Sequence, residues 1–155
     1  MTQHTKLRIA VNGYGVIGKR VADAVHQQID MTLSGVADIG TDWRPRIATH
    51  KGFDLFGATP DAVQAMLAAG MQVTGTLDDL LKVSDLVVDC TPKHIASRNV
   101  DLYRQRGLKF ILHGGEKHDL TGHSFVAEAN FASALDRECT RVVSCNTTAT
   151  VRTLS

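Results

Sequence analysis

The chain has 155 residues, with 17 Lys and Arg against 16 Asp and Glu and a formal net charge of +1 at pH 7. Charge this balanced and dispersed leaves no electrostatic footprint for nucleic acid or a membrane surface, and no apolar run approaches the ~20 residues a membrane helix needs. One domain with a substantial core is expected at this length, and three cysteines, Cys90, Cys139 and Cys145, do not suggest a disulfide framework.

Met1 to Lys6 carries no apolar signal region and leads into a first strand, Leu7 to Val11. A cytoplasmic protein is the expectation. Asn12-Gly13-Tyr14-Gly15-Val16-Ile17-Gly18 comes next and fits G-x-G-x-x-G. The pattern alone is weak, but here a strand precedes it, a helix follows, and a second strand, Met31 to Asp38, ends in an acid about 20 residues on. In the helix Val21, Ala24, Val25 and Ile29 recur at three- and four-residue steps, with Lys19, Arg20, Asp23 and Gln27 opposite.

That context assigns tasks to the glycines. Gly13 makes the tight turn, Gly15 lets the backbone approach a pyrophosphate, and Gly18 lets the helix lie close to the sheet. The helix N-terminus then offers unpaired N–H groups and partial positive charge to phosphates. Asp38 is placed to accept hydrogen bonds from an adenosine ribose and to repel a 2′-phosphate, which points to NAD before NADP.

Asp42 to Lys51 reads as a short helix ended by Gly52, and Phe53 to Phe56 as a short strand. Thr59-Pro60-Asp61 is a helix start, with Val63, Met66 and Leu67 as the buried face and Gly70 as the stop. Gln72 to Thr74 is expected as a strand. Thr76 caps a further helix that buries Leu77, Leu80 and Leu81. Asp85 to Asp89 suits a strand covered on both faces. After Cys90-Thr91-Pro92 a helix from Ile95 to Arg106 turns Ala96, Val100 and Tyr103 inward. Lys109 to Leu112 is the next strand, running into His113-Gly114-Gly115-Glu116-Lys117. Ser124 to Val126, a helix over Phe131 to Leu135, and a last strand, Arg141 to Ser144, complete the chain before a helix beginning near Cys145.

Strands alternating with helices predict an α/β fold: a Rossmann-like, doubly wound, mostly parallel sheet with helices on both faces. In such sheets ligands bind beyond the carboxyl ends of the strands. Those exits carry Gly13 to Gly18, Asp38, Cys90 to Pro92, His113 to Lys117, and Cys145. A thiol at a helix N-terminus has its thiolate favoured by the dipole, and Asn146 with neighbouring N–H groups can hold an oxyanion. Cys90 and Cys139 lack that setting and read as structural. His113 and His118 flank Glu116, but without C-x-x-C or H-E-x-x-H they read as solvated loop side chains, and no metal is expected.

Four stretches carry a family resemblance: Asn12 to Val25, His113-Gly114-Gly115-Glu116-Lys117, Ser124 to Asn130, and Arg141-Val142-Val143-Ser144-Cys145-Asn146-Thr147-Thr148. From about Lys6 to Leu154 the chain resembles the archaeal-type (type II) phosphorylating glyceraldehyde-3-phosphate dehydrogenases. The resemblance implies an NAD(P)-dependent oxidoreductase of glycolysis or gluconeogenesis. Cys145 would be the nucleophile that forms a thioacyl intermediate. Ser144, Cys145 and Asn146 would contact glyceraldehyde 3-phosphate and phosphate, and Val16, Ile17 and Gly115 would contact the cofactor.

Asp38 stands near where the family often has a Thr-Lys pair serving both NAD and NADP. His113 replaces Gln, and Ala149-Thr150-Val151 replaces Gly-Leu-Cys. In the family a catalytic domain follows, with the His base, the phosphate-binding Arg and Lys and most of a homotetramer interface. The expectation is therefore a cofactor-binding domain over 1–155 that lacks the catalytic domain and is inactive on aldehyde alone. An exposed apolar patch should accompany the missing half. Two alternatives stand beside this reading. One is a non-catalytic dinucleotide-binding or sensing module. The other is a fragment of a related semialdehyde dehydrogenase, which the Asn-Gly-Tyr-Gly and Gly-Gly-Glu-Lys stretches fit less well.

Overall fold

A computed structural model describes residues 6–154. The reading of Met1 to Thr5 lies outside the described residues. Among the described residues eight strands, β1 (Leu7–Asn12), β2 (Met31–Asp38), β3 (Leu55–Gly57), β4 (Gly75–Thr76), β5 (Leu86–Asp89), β6 (Lys109–Leu112), β7 (Ser124–Phe125) and β8 (Cys139–Val142), form one sheet. Its order is β4-β3-β2-β1-β5-β6-β8-β7, and every neighbouring pair is parallel. The helices are α1 (Val16–His26), α2 (Trp43–His50), α3 (Pro60–Ala68), α4 (Leu77–Lys82), α5 (Ala96–Gln105), α6 (Ala127–Ala134) and α7 (Cys145–Leu154). The chain builds outward from β1 to β4, then returns to place β5 on the other side of β1. That reversal is the crevice where such sheets take ligands.

Strand alternation sorts the core into two layers. Val11, Val36 and Leu55 pack with Ala22 of α1, Ala48 of α2 and Met66 of α3. Ile9 and Val88 continue that face against Val25. The intervening residues Ala10, Ala37, Phe56, Val87, Phe110 and Leu112 face α4 and α5 through Leu77, Leu80, Leu81, Ala96, Val100 and Tyr103. Helices thus cover both faces. Local signals set their starts. Thr59 Oγ1 accepts from Ala62 N at 3.1 Å with Pro60 just inside the helix. Thr76 and Asp79 form a reciprocal capping box.

Some expectations shift. Helix α1 ends at His26, so Ile29 falls beyond it and is 87% exposed, while Ala22 rather than Ala24 is buried. In α3 the buried pair is Ala62 and Met66, and Leu67 is 49% exposed, because helix and sheet meet along a narrow stripe. The strand expected over Gln72 to Thr74 lies instead at Gly75–Thr76, where β3 supplies a hydrogen-bonding edge. Strand β3 likewise starts at Leu55, two residues late. The last strand begins at Cys139, and its pairing with β6 ends at Arg141.

Candidate active site at the carboxyl edge of the sheet

The turn after β1 is built by close contact. Gly13 has φ +93°, and a Cβ there would stand 2.9 Å from the backbone of Cys90 and Thr91. Its N–H donates to Ala37 O at 2.8 Å. A Cβ on Gly18 would sit 1.8 Å from the Gly13 carbonyl oxygen, so α1 presses directly on the turn. Gly15 has nothing within 4 Å of its missing Cβ. It opens toward solvent where the other two are crowded. No side chain caps the N-terminus of α1, and no acid lies in its first turn. Its leading N–H groups face outward with partial positive charge. These features suit a pyrophosphate approaching over Gly15.

Asp38, at the end of β2, holds this turn. Its Oδ2 accepts from Tyr14 N at 2.7 Å, and its Oδ1 accepts from Ile39 N and Gly40 N at 2.8 Å each. The side chain of Tyr14 drops into the core, completely buried, and its hydroxyl has no hydrogen-bond partner among the described residues. Burial pushes that phenol up to about 12.

A cleft of about 870 Å³ opens beyond β1, β2, β5 and β6. Gly13, Gly15, Val16, Ile17 and Asp38 line its first part, with Ile39 and Arg44 beside them. Cys90 to Lys93, Ile95, Asn99, His113 and Gly114 form the opposite wall. Of the glycines expected here, Gly18 lies behind the turn. Gly114 lines the cleft, whereas Gly115 is exposed and does not.

Beneath the wall lies a network that sequence reading missed. Asp89 is fully buried. Its Oδ2 accepts from Tyr103 Oη at 2.6 Å and Asn99 Nδ2 at 2.9 Å, and its Oδ1 accepts from Thr91 Oγ1 at 2.5 Å and Thr91 N at 2.9 Å. Asn12 Nδ2 donates to Tyr103 Oη at 2.9 Å, and its Oδ1 is buried without a partner among the described residues. The available signal was an acid ending an otherwise apolar buried strand. Asp89 thereby fixes Thr91, against which Gly13 packs on one side. On the other, a Cβ at Gly114 would fall 2.1 Å from Thr91 O.

Glu116, between the two histidines, was given no role by the sequence. It is buried, and its Oε1 accepts from His94 N at 2.7 Å and Ser97 N at 3.4 Å. His118 contacts Ser124 Oγ at 3.0 Å, so the His113–His118 stretch ties loops together. Among the described residues, no group of three His, Cys, Asp or Glu side chains is placed to hold a metal ion.

Cys145 is the first residue of α7 and is exposed. Ser144 caps this helix, its Oγ accepting from Thr147 N at 3.2 Å and its carbonyl from Thr148 N at 2.9 Å. Asn146 Oδ1 lies 3.9 Å from the Cys145 sulfur. Cys145 leaves the same edge as the glycine turn but does not line the cleft. Its strand is three positions from β1, roughly 14 Å across the sheet. Cys90 is largely enclosed, and burial, with Asp89 adjacent, pushes its thiol up to about 12. Burial also raises the Cys139 thiol.

A parallel sheet, a reversal beside a glycine-rich turn and an uncapped helix over an open cleft define a Rossmann-like dinucleotide-binding domain. The chain belongs to the family described as dihydrodipicolinate reductase, N-terminus, which matches residues 7–115. The resemblance to archaeal dehydrogenases is borne out. The chain is 47% identical over 146 residues to glyceraldehyde-3-phosphate dehydrogenase of Methanothermus fervidus, covering 94% of this chain and 43% of that protein. It is 48% identical over 148 residues to the protein of that name from Methanothermobacter thermautotrophicus, covering 96% of this chain and 44% of the relative. The chain thus spans less than half the length of these relatives. Among solved structures, RSP, a Rex-family repressor, superposes with a TM-score of 0.53 at 17% identity, over 96% of this chain and 58% of that one, a likeness of fold.

Proposed function

We propose that this chain is the cofactor-binding part of a phosphorylating glyceraldehyde-3-phosphate dehydrogenase and carries the reaction's nucleophile. The observation that supports this most is the shared edge. An open glycine turn under α1 and an exposed Cys145 at the start of α7 leave the same end of one parallel sheet.

Gly13, Gly15, Val16 and Ile17 hold the diphosphate of the dinucleotide, and Gly18 keeps α1 against the turn. Asp38 faces the adenosine ribose and favours NAD over NADP. Gly114 and Gly115 flank the far wall. NAD, when bound, accepts the hydride leaving the aldehyde carbon. Cys145 adds through sulfur to the aldehyde of glyceraldehyde 3-phosphate. Asn146 and the leading N–H groups of α7 steady the oxygen of that adduct, and Ser144 caps the helix that presents them. Loss of hydride leaves a thioester on Cys145, which inorganic phosphate cleaves to an acyl phosphate, freeing the thiol. The complete protein is a cytoplasmic homotetramer in this reading, and its further segments supply the base and the phosphate-binding side chains.

The test has two arms. Calorimetric titration of this chain with NAD should show one site. The intact protein should form NADH from glyceraldehyde 3-phosphate and phosphate, and Cys145→Ser should abolish it. Turnover surviving in that variant excludes the nucleophile role.

A second reading, a dinucleotide-binding module without chemistry, is favoured by one observation. Among the described residues, the only hydrogen-bond contact of the Cys145 sulfur is Asn146, with no histidine beside it. Sluggish alkylation of Cys145 in the intact protein near neutral pH would support it.

A further inference from the structure

The cleft's far wall contains a strained turn. Ile95 N donates to Pro92 O at 3.0 Å, closing a turn with His94 in third position at φ +72°. Glycine is the residue that this position favours, since a Cβ is disfavoured at positive φ. Among the described residues only His94 and Asp136 combine a side chain with positive φ. Such conformations persist where surrounding structure over-determines them.

The restraint on His94 comes from another loop. Glu116, 22 residues on and buried, accepts the His94 amide at 2.7 Å and the Ser97 amide at 3.4 Å. The Glu116 carbonyl in turn accepts from Arg141 Nη1 at 2.8 Å, and Arg141 Nε donates to Ser124 Oγ at 2.8 Å. Glu116 therefore joins the turn before α5, through its carboxylate, to the strand pair that leads to Cys145, through its backbone carbonyl. The residues on either side of His94, Lys93 and Ile95, line the cleft.

We propose that Glu116 is a positioning residue for dinucleotide binding: it holds His94 in its left-handed conformation and so sets Lys93 and Ile95 as one wall of the cleft. Acceptor geometry is the essential property. A glutamine, whose carbonyl oxygen also accepts, retains it, and alanine does not. Relief of strain at His94 by glycine makes the restraint unnecessary, because glycine adopts positive φ at no steric cost.

The inference rests on the dinucleotide reading, and the experiment separates the two. NAD affinity of the full 155-residue chain is measured by calorimetry for the wild type, Glu116→Gln, Glu116→Ala, and Glu116→Ala combined with His94→Gly. Amide hydrogen exchange at positions 94 and 97 is followed by NMR without ligand. Glu116→Ala is expected to weaken NAD binding about tenfold, the scale of one charge-assisted hydrogen bond. Glu116→Gln should stay within about threefold of wild type, and the double variant should recover to a similar level. Exchange at His94 and Ser97 should accelerate in Glu116→Ala and be largely restored in Glu116→Gln. Wild-type affinity in Glu116→Ala, a loss in Glu116→Gln as large as that in alanine, or no recovery with His94→Gly overturns the inference. A wild-type chain that binds no NAD refutes the dinucleotide reading. Exchange at the two amides then decides whether Glu116 restrains the turn, and unchanged exchange in Glu116→Ala rejects that as well.

Discussion

The carboxylate of Asp38 accepts the backbone amide of Tyr14 at 2.7 Å, joining the end of β2 to the middle of the glycine turn 24 residues earlier. Its other oxygen accepts Ile39 N and Gly40 N. In the proposed reading, the acid that faces the adenosine side of the cleft also fixes the turn that faces the diphosphate. Asp38→Ala should therefore act at both places. NAD affinity is expected to fall roughly ten- to a hundredfold, from lost charge-assisted hydrogen bonds at the turn and the ribose. NADP affinity should fall less, because repulsion of the 2′-phosphate is removed with the carboxylate. Paired titrations check this, and an unchanged ratio of the two affinities contradicts it.

Gly15 and Gly18 separate binding from folding. An alanine methyl at position 18 meets the Gly13 carbonyl oxygen at 1.8 Å, so backbone must move. Gly18→Ala should cost about 2–3 kcal/mol or more, as overpacked sites do. Gly15→Ala meets nothing within 4 Å and has ordinary helix-start geometry, so its melting temperature should barely change. Its NAD affinity should nevertheless drop, since in the proposed binding mode the methyl stands where the diphosphate approaches. Thermal melts beside titrations give both readouts.

Tyr14 buries a hydroxyl that has no partner among the described residues. Removing it with Tyr14→Phe should be neutral or stabilising by about 1 kcal/mol, since an unsatisfied buried polar group carries its desolvation penalty. The pH dependence has a definite sign. Burial raises this phenol from 10.0 to about 12, so the folded state keeps a proton that the unfolded chain gives up first. The contribution is complete below about pH 10 and is lost as pH rises toward 12. Tyr103, raised by burial and by Asp89, acts in the same direction. Urea melts from pH 8 to pH 11 should show falling stability, with a shallower fall in Tyr14→Phe.

The three thiols should separate in alkylation. Cys145 is exposed, whereas burial enriches the protonated form of Cys90 and Cys139. Brief iodoacetamide treatment near neutral pH, read by peptide mass spectrometry, should label Cys145 first and Cys90 last. Labelling of Cys90 ahead of Cys145 contradicts the burial of β5's exit.

The glycine turn and the capped helices were legible because their signals are local. Gly13, Gly15 and Gly18 sit at fixed offsets between a strand and a helix, and Thr59-Pro60 or Thr76 with Asp79 stabilise a helix start within a few residues. Ala24, Leu67 and Ile29 were misplaced for the opposite reason. Periodicity shows that a helix has an apolar face, but where the sheet meets that face is settled by packing against distant strands.

Glu116 shows the same division within the site. Nothing in the Gly-Gly-Glu-Lys stretch marks it as buried, and only the approach of the Pro92–Ile95 turn makes it a buried acceptor. By itself the sequence determined the alternation of strands and helices, the glycine turn, the acid at position 38 and the cysteine opening the last helix. All of these depend on spacing along the chain. Tertiary structure alone decided that Asp38 braces Tyr14, that Asp89 clamps Thr91 between Gly13 and Gly114, and that Cys145 leaves the sheet three strands from the turn. Those relationships join residues far apart in the chain, and parallel strand order, which local sequence does not encode, brings them together.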